Sequence, residues 1–394
     1  MSGLARLKTV SALGIIEIFA WGSSFYLIAV LAQPIAAETG WSGAAVSAGV
    51  SVGLLVSGLA ATLTGRLIEA RGGRPVLAGG MCLLALGLVL LGLARSLPAY
   101  YAAWVVLGLG MAGGLYDAAF SALGRIFGRD ARAAITQLTL WGGFASTVCW
   151  PLSAWLVEVV GWRNACFSYA ALHMVVTLPL ALFGLPRAAR PAPGTKVHSP
   201  LPPAVPVLDP RFLCLAGAGI LMSTLATIWS VHFVTLLTAT GYGIAAAIGI
   251  GTLIGPSQVG ARVLEMLGRG RHHPIWTMLV ATTAILIGFG GLQFGLPAAA
   301  VMIAYGAGNG LWSIARGALP LSVFGSDGYA RTMGRLATPM LLASAGAPSV
   351  GAWLIDRLGA ADTLRILAVA SLVPLVLAIT LFRMSARSRA LPQV

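Results

Sequence analysis

Arg66-Leu67-Ile68-Glu69-Ala70-Arg71-Gly72 is followed, 196 residues later, by Arg262-Val263-Leu264-Glu265-Met266-Leu267-Gly268. The same offset relates Gly110-x-x-x-Gly114-Leu115-Tyr116 to Gly306-x-x-x-Gly310-Leu311-Trp312. An offset of 198 relates Ser153-Ala-Trp155-Leu-Val-Glu158-x-x-Gly161 to Gly351-Ala-Trp353-Leu-Ile-Asp356-x-x-Gly359. Three matches in one order, spaced by half of a 394-residue chain, describe two related halves with the same orientation.

Each repeated stretch lies beside long apolar runs. The chain is 58% hydrophobic and 9% charged, against roughly 25% charged for a soluble domain. So few charges cannot cover a water-exposed surface. Twelve runs are long enough to cross a hydrocarbon core of about 30 Å: about 11–31, 43–64, 76–94, 99–123, 134–157, 164–185, 212–238, 244–264, 274–294, 297–319, 335–355 and 363–382. The first resembles a signal peptide after Arg6 and Lys8, but it continues for about 20 residues and carries Glu17, so it reads as a retained helix.

The net charge of +14 raises the question of nucleic acid, and the distribution answers it. Lys and Arg cluster in short connections rather than along one face, which excludes a phosphate-binding surface. Twenty fall on the side of the N-terminus and four on the other, with Arg316 inside a run. The basic side is cytoplasmic, so both termini are expected in the cytoplasm. The connection 186–211 holds eight of the 21 prolines and reads as a flexible basic linker. Cys82, Cys149, Cys166 and Cys214 stand singly without ligand spacing, so no metal site and no cofactor is expected.

The longer stretch Gly65-Arg66-Leu67-Ile68-Glu69-Ala70-Arg71-Gly72-Gly73-Arg74 resembles the Gly-x-x-x-Asp-Arg-x-Gly-Arg-Arg loop of the major facilitator superfamily. Glu69, Ala70 and Gly73 depart from that pattern. Thr39-Gly40-Trp41-Ser42 and Gly161-Trp162-Arg163 are similar to the monocarboxylate and organic-anion porter branch. The resemblance implies an all-α membrane protein of twelve transmembrane helices in two parallel six-helix repeats. Residues 1–186 and 212–394 would be the bundles, and 187–211 the cytoplasmic linker. It also implies a monomeric secondary transporter, multi-pass in the cell inner membrane, whose partners are the lipid bilayer, a small-molecule substrate and a proton or counter-substrate.

Glu69 can face a helix N-terminus or Arg125 and Arg132 and so lock a cytoplasmic gate formed with Gly65, Arg66, Gly72 and Arg74. The alternative is a short basic loop that serves topology alone. Ionisable groups inside the runs are costly and therefore candidate sites. Asp117 and Arg316 sit on equivalent helices, within about one turn of equivalent depth. They can pair with each other, or Arg316 can hold an anion while Asp117 takes a proton; a structural ion pair or a snorkelling Arg316 is the other reading. Glu17, His232 with Trp229 one turn before it, and Asn309 complete the substrate and coupling candidates. His173 reads as structural, and His272 with His273 as an interface rather than a metal site.

The expected function is transport of a small organic anion by alternating access, coupled to protons or by exchange. Efflux of an arsenite-type metalloid, with Cys149 or Cys166 as thiol ligand, or of a drug-like compound is the second reading, and a non-transporting receptor the third. No P-loop, GxSxG or HExxH motif points to an enzyme.

Overall fold

The computed structural model describes residues 3–187, 204–268 and 271–390; most of the proline-rich linker and Arg269 lie outside the described residues. No strand occurs among the described residues. The helices are α1 (Gly3–Gly22), α2 (Ile28–Thr39), α3 (Gly43–Arg71), α4 (Gly73–Leu93), α5 (Leu97–Gly114), α6 (Tyr116–Phe127), α7 (Ala131–Gly143), α8 (Ala145–Leu172), α9 (Leu178–Phe183), α10 (Pro210–Thr238), α11 (Ile244–Gly251), α12 (Ile254–Leu267), α13 (Pro274–Gly290), α14 (Ala298–Phe324), α15 (Tyr329–Ala370) and α16 (Leu372–Ala390).

Nine helical stretches among the described residues are long and apolar enough to cross a membrane. Two of them, Ala131–Phe183 with 53 residues and Tyr329–Ser385 with 57, exceed what one crossing of about 20 residues needs. Each is bent at a glycine with left-handed φ, Gly161 (φ 79°, ψ 162°) and Gly359 (φ 80°, ψ 167°). Only glycine adopts that conformation without a Cβ penalty, and the two stand 198 residues apart. The sequence repeat is therefore also a repeat of backbone conformation, and with α1 and α2 at the start the helices are compatible with twelve crossings.

Several of the expected continuous helices are interrupted, among them the first, the fourth and the eighth. The first stops at Gly22, turns through residues 23–27 and resumes as α2, reaching Thr39 instead of residue 31. The fourth breaks at Leu115, whose extended backbone (φ −98°, ψ −176°) makes Tyr116 and Asp117 a fresh helix start. The eighth breaks between α11 and α12. Hydropathy passes smoothly across all three, because a bend changes direction without changing polarity.

The chain divides into two compact units, residues 1–204 with 326–338, and 205–325 with 339–394. In the first, Trp104 on α5 is fully buried against Gly49 and Gly53 of α3, and the Tyr100 hydroxyl donates to the Val46 carbonyl at 2.6 Å. In the second, Trp229, Phe289 and Tyr305 form a buried aromatic core, and Gly219 of α10 seats the end of Met340. In lipid the apolar effect between helices is weak, so such close approach at small residues carries the packing.

Candidate functional site

The innermost candidate is built on α1. Glu17 and Trp21 are one turn apart, and the indole Nε1 donates to Glu17 Oε2 at 3.0 Å. Glu17 is fully buried, an arrangement tolerated in an apolar bundle only when the carboxyl is held by donors. The Trp21 ring lies 5.3 Å from the Tyr116 ring, which stacks on Phe120 at 5.1 Å with the planes 8° apart. Phe25 and Tyr26, from the broken part of helix 1, close the other side of Trp21 at 5.6 and 6.0 Å. Gly14 and Gly142 leave room for the rings of Trp141 and Tyr116. The result is a carboxyl set in an aromatic wall. Asp117, next to Tyr116, is half-buried in the first turn of α6, where the helix dipole complements a negative charge.

The second unit holds the other candidates. Trp229 is buried in the aromatic core, while the His232 Nε2–H donates to the Pro348 carbonyl at 2.9 Å and the ring packs on Gly351. Asn309 and Arg316 are half-buried on α14. Asp117 and Arg316 thus belong to different units. Arg262 was counted as a loop charge in sequence, yet it is buried: its Nε donates to Ser313 Oγ at 3.1 Å and to the Gly310 carbonyl at 3.4 Å.

At the loop between α3 and α4, Arg125 Nη1 donates to Glu69 Oε1 at 2.9 Å, joining α6 to the end of α3. The Glu69 side chain is 8% exposed and that of Arg125 37%. Beside this pair the start of α15 packs against α3 and α6: Gly65 meets the Ala330 carbonyl, Gly334 the Ala61 carbonyl, and Gly124 the Tyr329 ring. The Thr62 and Thr338 hydroxyls bond at 2.9 Å. A cleft of about 290 Å³ is lined by Glu69, Arg125, Asp327 and Tyr329. Gly72 ends α3 with φ 84°. Arg66 is exposed, Arg74 half-buried at the start of α4, and Arg132 half-buried in the first turn of α7. No cluster of metal-ligating side chains occurs among the described residues.

The second copy of the loop is stitched locally. Thr277 Oγ1 donates to Glu265 Oε1 at 2.9 Å, and His272 Nε2 lies 3.1 Å from the same oxygen. His273 accepts from Ile275 N as the cap of α13 and bonds Ser322 at 2.7 Å.

One constellation escaped the sequence reading. Glu38, at the end of α2, accepts from Trp162 Nε1 at 2.6 Å and from Arg163 Nε at 2.9 Å. Arg163 Nη1 then donates to the carbonyls of Gly92 and Ala94, both at 2.7 Å, at the end of α4 where helix carbonyls lack partners. The Arg163 bond is the largest influence holding the Glu38 carboxyl below its usual range, with Trp162 adding to it against a desolvation cost. The clue was present in two short motifs, Thr39-Gly-Trp41 and Gly161-Trp-Arg163; nothing in sequence joined them.

Comparison with known proteins assigns this arrangement. Residues 13–338 match the model of the Major Facilitator Superfamily. The chain belongs to that family, and it is a multi-pass membrane transport protein. Monocarboxylate transporter 11 of Mus musculus is 34% identical over 170 residues, which is 40% of this chain and 37% of that relative. The match therefore spans well under half of the relative's length. Among solved structures, the proton:xylose symporter XylE bound to 6-bromo-6-deoxy-D-glucose aligns with TM-score 0.69 and 12% identity, over 96% of this chain and 95% of that one. The human organic anion transporter MFSD10 (TETRAN) aligns with TM-score 0.67 and 17% identity, over 96% of this chain and 100% of that one. These structural likenesses show the fold alone.

Proposed function

We propose that the chain is a secondary active carrier of a small organic anion, working by alternating access with proton coupling or exchange. Buried Glu17, hydrogen-bonded by Trp21 inside an aromatic wall, is the observation that carries this reading, because a carboxyl in such a setting is suited to bind and release a proton. Arg316 is the residue that holds the anionic end of the solute, Asp117 shares the proton with Glu17, and Trp229, His232 and Asn309 line the solute path. Relatives named for monocarboxylates and organic anions support the substrate class. Metalloid efflux gains no support from the thiols: Cys149 packs on Gly22 and Cys166 is fully buried.

The Glu69–Arg125 pair and the glycine contacts beside it form the cytoplasmic gate, with Gly65, Arg66, Gly72, Arg74 and Arg132. The functional bundles are residues 1–186 and 212–394, joined by the linker 187–211, in a monomer of the inner membrane with both termini in the cytoplasm.

Flux in proteoliposomes tests this reading with a panel of carboxylates, arsenite and cationic drugs, with and without a pH gradient. Carboxylate uptake that responds to the gradient is expected. Arsenite flux without any carboxylate flux would overturn it, and transport unaffected by Asp117→Asn together with Arg316→Ala would remove those residues from the path.

A further inference from the structure

Helix 1 is broken at residues 23–27, where Ser23 and Ser24 are fully buried. Ser23 Oγ lies 2.7 Å from His173 Nε2, and His173 Nδ1 lies 2.8 Å from Thr177 Oγ1. Thr177 donates its single hydroxyl proton to the His173 carbonyl at 3.1 Å. Its oxygen must therefore accept at Nδ1, so Nδ1 carries the imidazole proton. A neutral ring then accepts at Nε2, and Ser23 is the donor there. Every proton in the chain Ser23, His173, Thr177 is assigned, with no proton left over.

The helix that presents His173 is locally altered to do so. Residues His173–Thr177 form a π turn, with the Leu178 N–H reaching back to the His173 carbonyl. Such turns are rare, cost regular hydrogen bonding, and concentrate at functional positions. Ten residues earlier on the same helix, Trp162 and Arg163 hold Glu38. From Arg163 to His173 is about 15 Å at 1.5 Å per residue, and the twelve residues of α2 cover about 18 Å. The arm α2 thus lies along α8 beyond Gly161, tied at its inner end by Ser23 to His173 and at its outer end by Glu38 to Trp162 and Arg163.

We propose that His173 is a positioning residue that keeps helix 1 broken, so that Trp21, Phe25 and Tyr26 stay gathered around Glu17, with α2 carried on α8 as one body. Without the Ser23 bond, residues 23–27 are free to rejoin α1 and α2 into one regular helix, which would rotate Phe25 and Tyr26 away from Trp21. Its functional consequence rests on the reading of Glu17 and Trp21 as a binding site; the structural claim does not.

Hydrogen–deuterium exchange on the full chain in lipid nanodiscs separates the two. Ser23→Ala and His173→Phe should each change amide exchange across residues 22–28 by about fivefold, as expected for loss of one buried hydrogen bond. The double variant should change it no further. His173→Gln, whose amide oxygen can accept from Ser23, should stay close to the wild type, and the peptide spanning the Leu115 break should be unaltered throughout. Unchanged exchange at 22–28 in Ser23→Ala overturns the proposal, as does His173→Gln behaving like His173→Phe, which would make the ring a packing element only. If His173→Phe does not fold, Ser23→Ala and His173→Gln decide. In proteoliposomes carrying pyruvate, Ser23→Ala should raise KM about tenfold with kcat little changed. Altered exchange with no pyruvate flux in any form would leave the hinge standing and count against the proposed substrate class alone.

Discussion

The two copies of the Arg-x-x-Glu-x-x-Gly loop share one pattern and make different contacts. In the first, Arg66 is exposed and Glu69 reaches a partner 56 residues away, Arg125, beside glycines that admit the start of α15. In the second, Arg262 is buried onto α14 and Glu265 bonds residues 7 and 12 positions along its own loop. In the first copy the carboxylate makes the contact to a segment distant in sequence; in the second the arginine does, through Ser313 and Gly310. The glutamate side chain is 8% exposed in both copies, so what differs is the partner it finds and whether the arginine is buried beside it.

The strongest way to break this contrast is at the latch glycines. Gly65→Leu places side-chain atoms on the Ala330 backbone, and overpacking of this kind costs about 1–3 kcal/mol. Transport should be lost and the melting temperature lowered, whereas Gly260→Leu, with open space around it just before the second copy, should leave both nearly unchanged. Next comes the arginine pair. Arg262→Ala strips donors from buried acceptors and should cost about 1–3 kcal/mol in thermal unfolding, while Arg66→Ala, on an exposed face, should stay within about 0.5 kcal/mol.

The glutamates sharpen the comparison further. Glu69→Gln should cost less than about 1 kcal/mol of stability, since Arg125 is partly solvated, yet lower transport about tenfold if the pair is the latch. Combining Glu69→Arg with Arg125→Glu should recover part of the flux, and Glu265→Gln should leave transport within about twofold of wild type, on the scale of a marginal effect. Equal losses for Glu69→Gln and Glu265→Gln would erase the distinction.

The smallest effect lies at the opposite end of the first bundle. The Glu38 carboxyl is held below its ordinary value by Arg163, so its contribution to stability is complete above about pH 4.3 and is lost as pH falls through the lowered value. Melting temperature should thus be insensitive to this group from pH 5 to 8. In Glu38→Gln the additional acid sensitivity below pH 4 should disappear.

Much of this was legible in the linear chain. The apolar runs, the charge asymmetry and the 196-residue repeat led to the helices and the family, and Gly161 and Gly359 repeat even in their φ angles. Arg125 was one of the partners open to Glu69, beside Arg132 and a helix N-terminus, and the structure has it as the one bonded. Trp21 as the donor to Glu17 was available from its i+4 spacing and went unread, as did Glu38 beside Thr39-Gly-Trp41. The breaks at 23–27 and Leu115 left no trace in hydropathy, and Arg262 looked like any other loop arginine.

Sequence by itself determined that this protein crosses a membrane many times and repeats three motifs at an offset of about half its length. Those properties are sums along the chain, and a sum does not depend on which segments meet. Only the tertiary structure decided which arginine is buried, which carboxylate is latched and where helix 1 turns. In a bundle surrounded by lipid, a polar group must take whatever donor or acceptor packing brings within about 3 Å. That choice is made by distance across the fold, and residues 56, 124 and 150 positions apart in the chain are the ones that met.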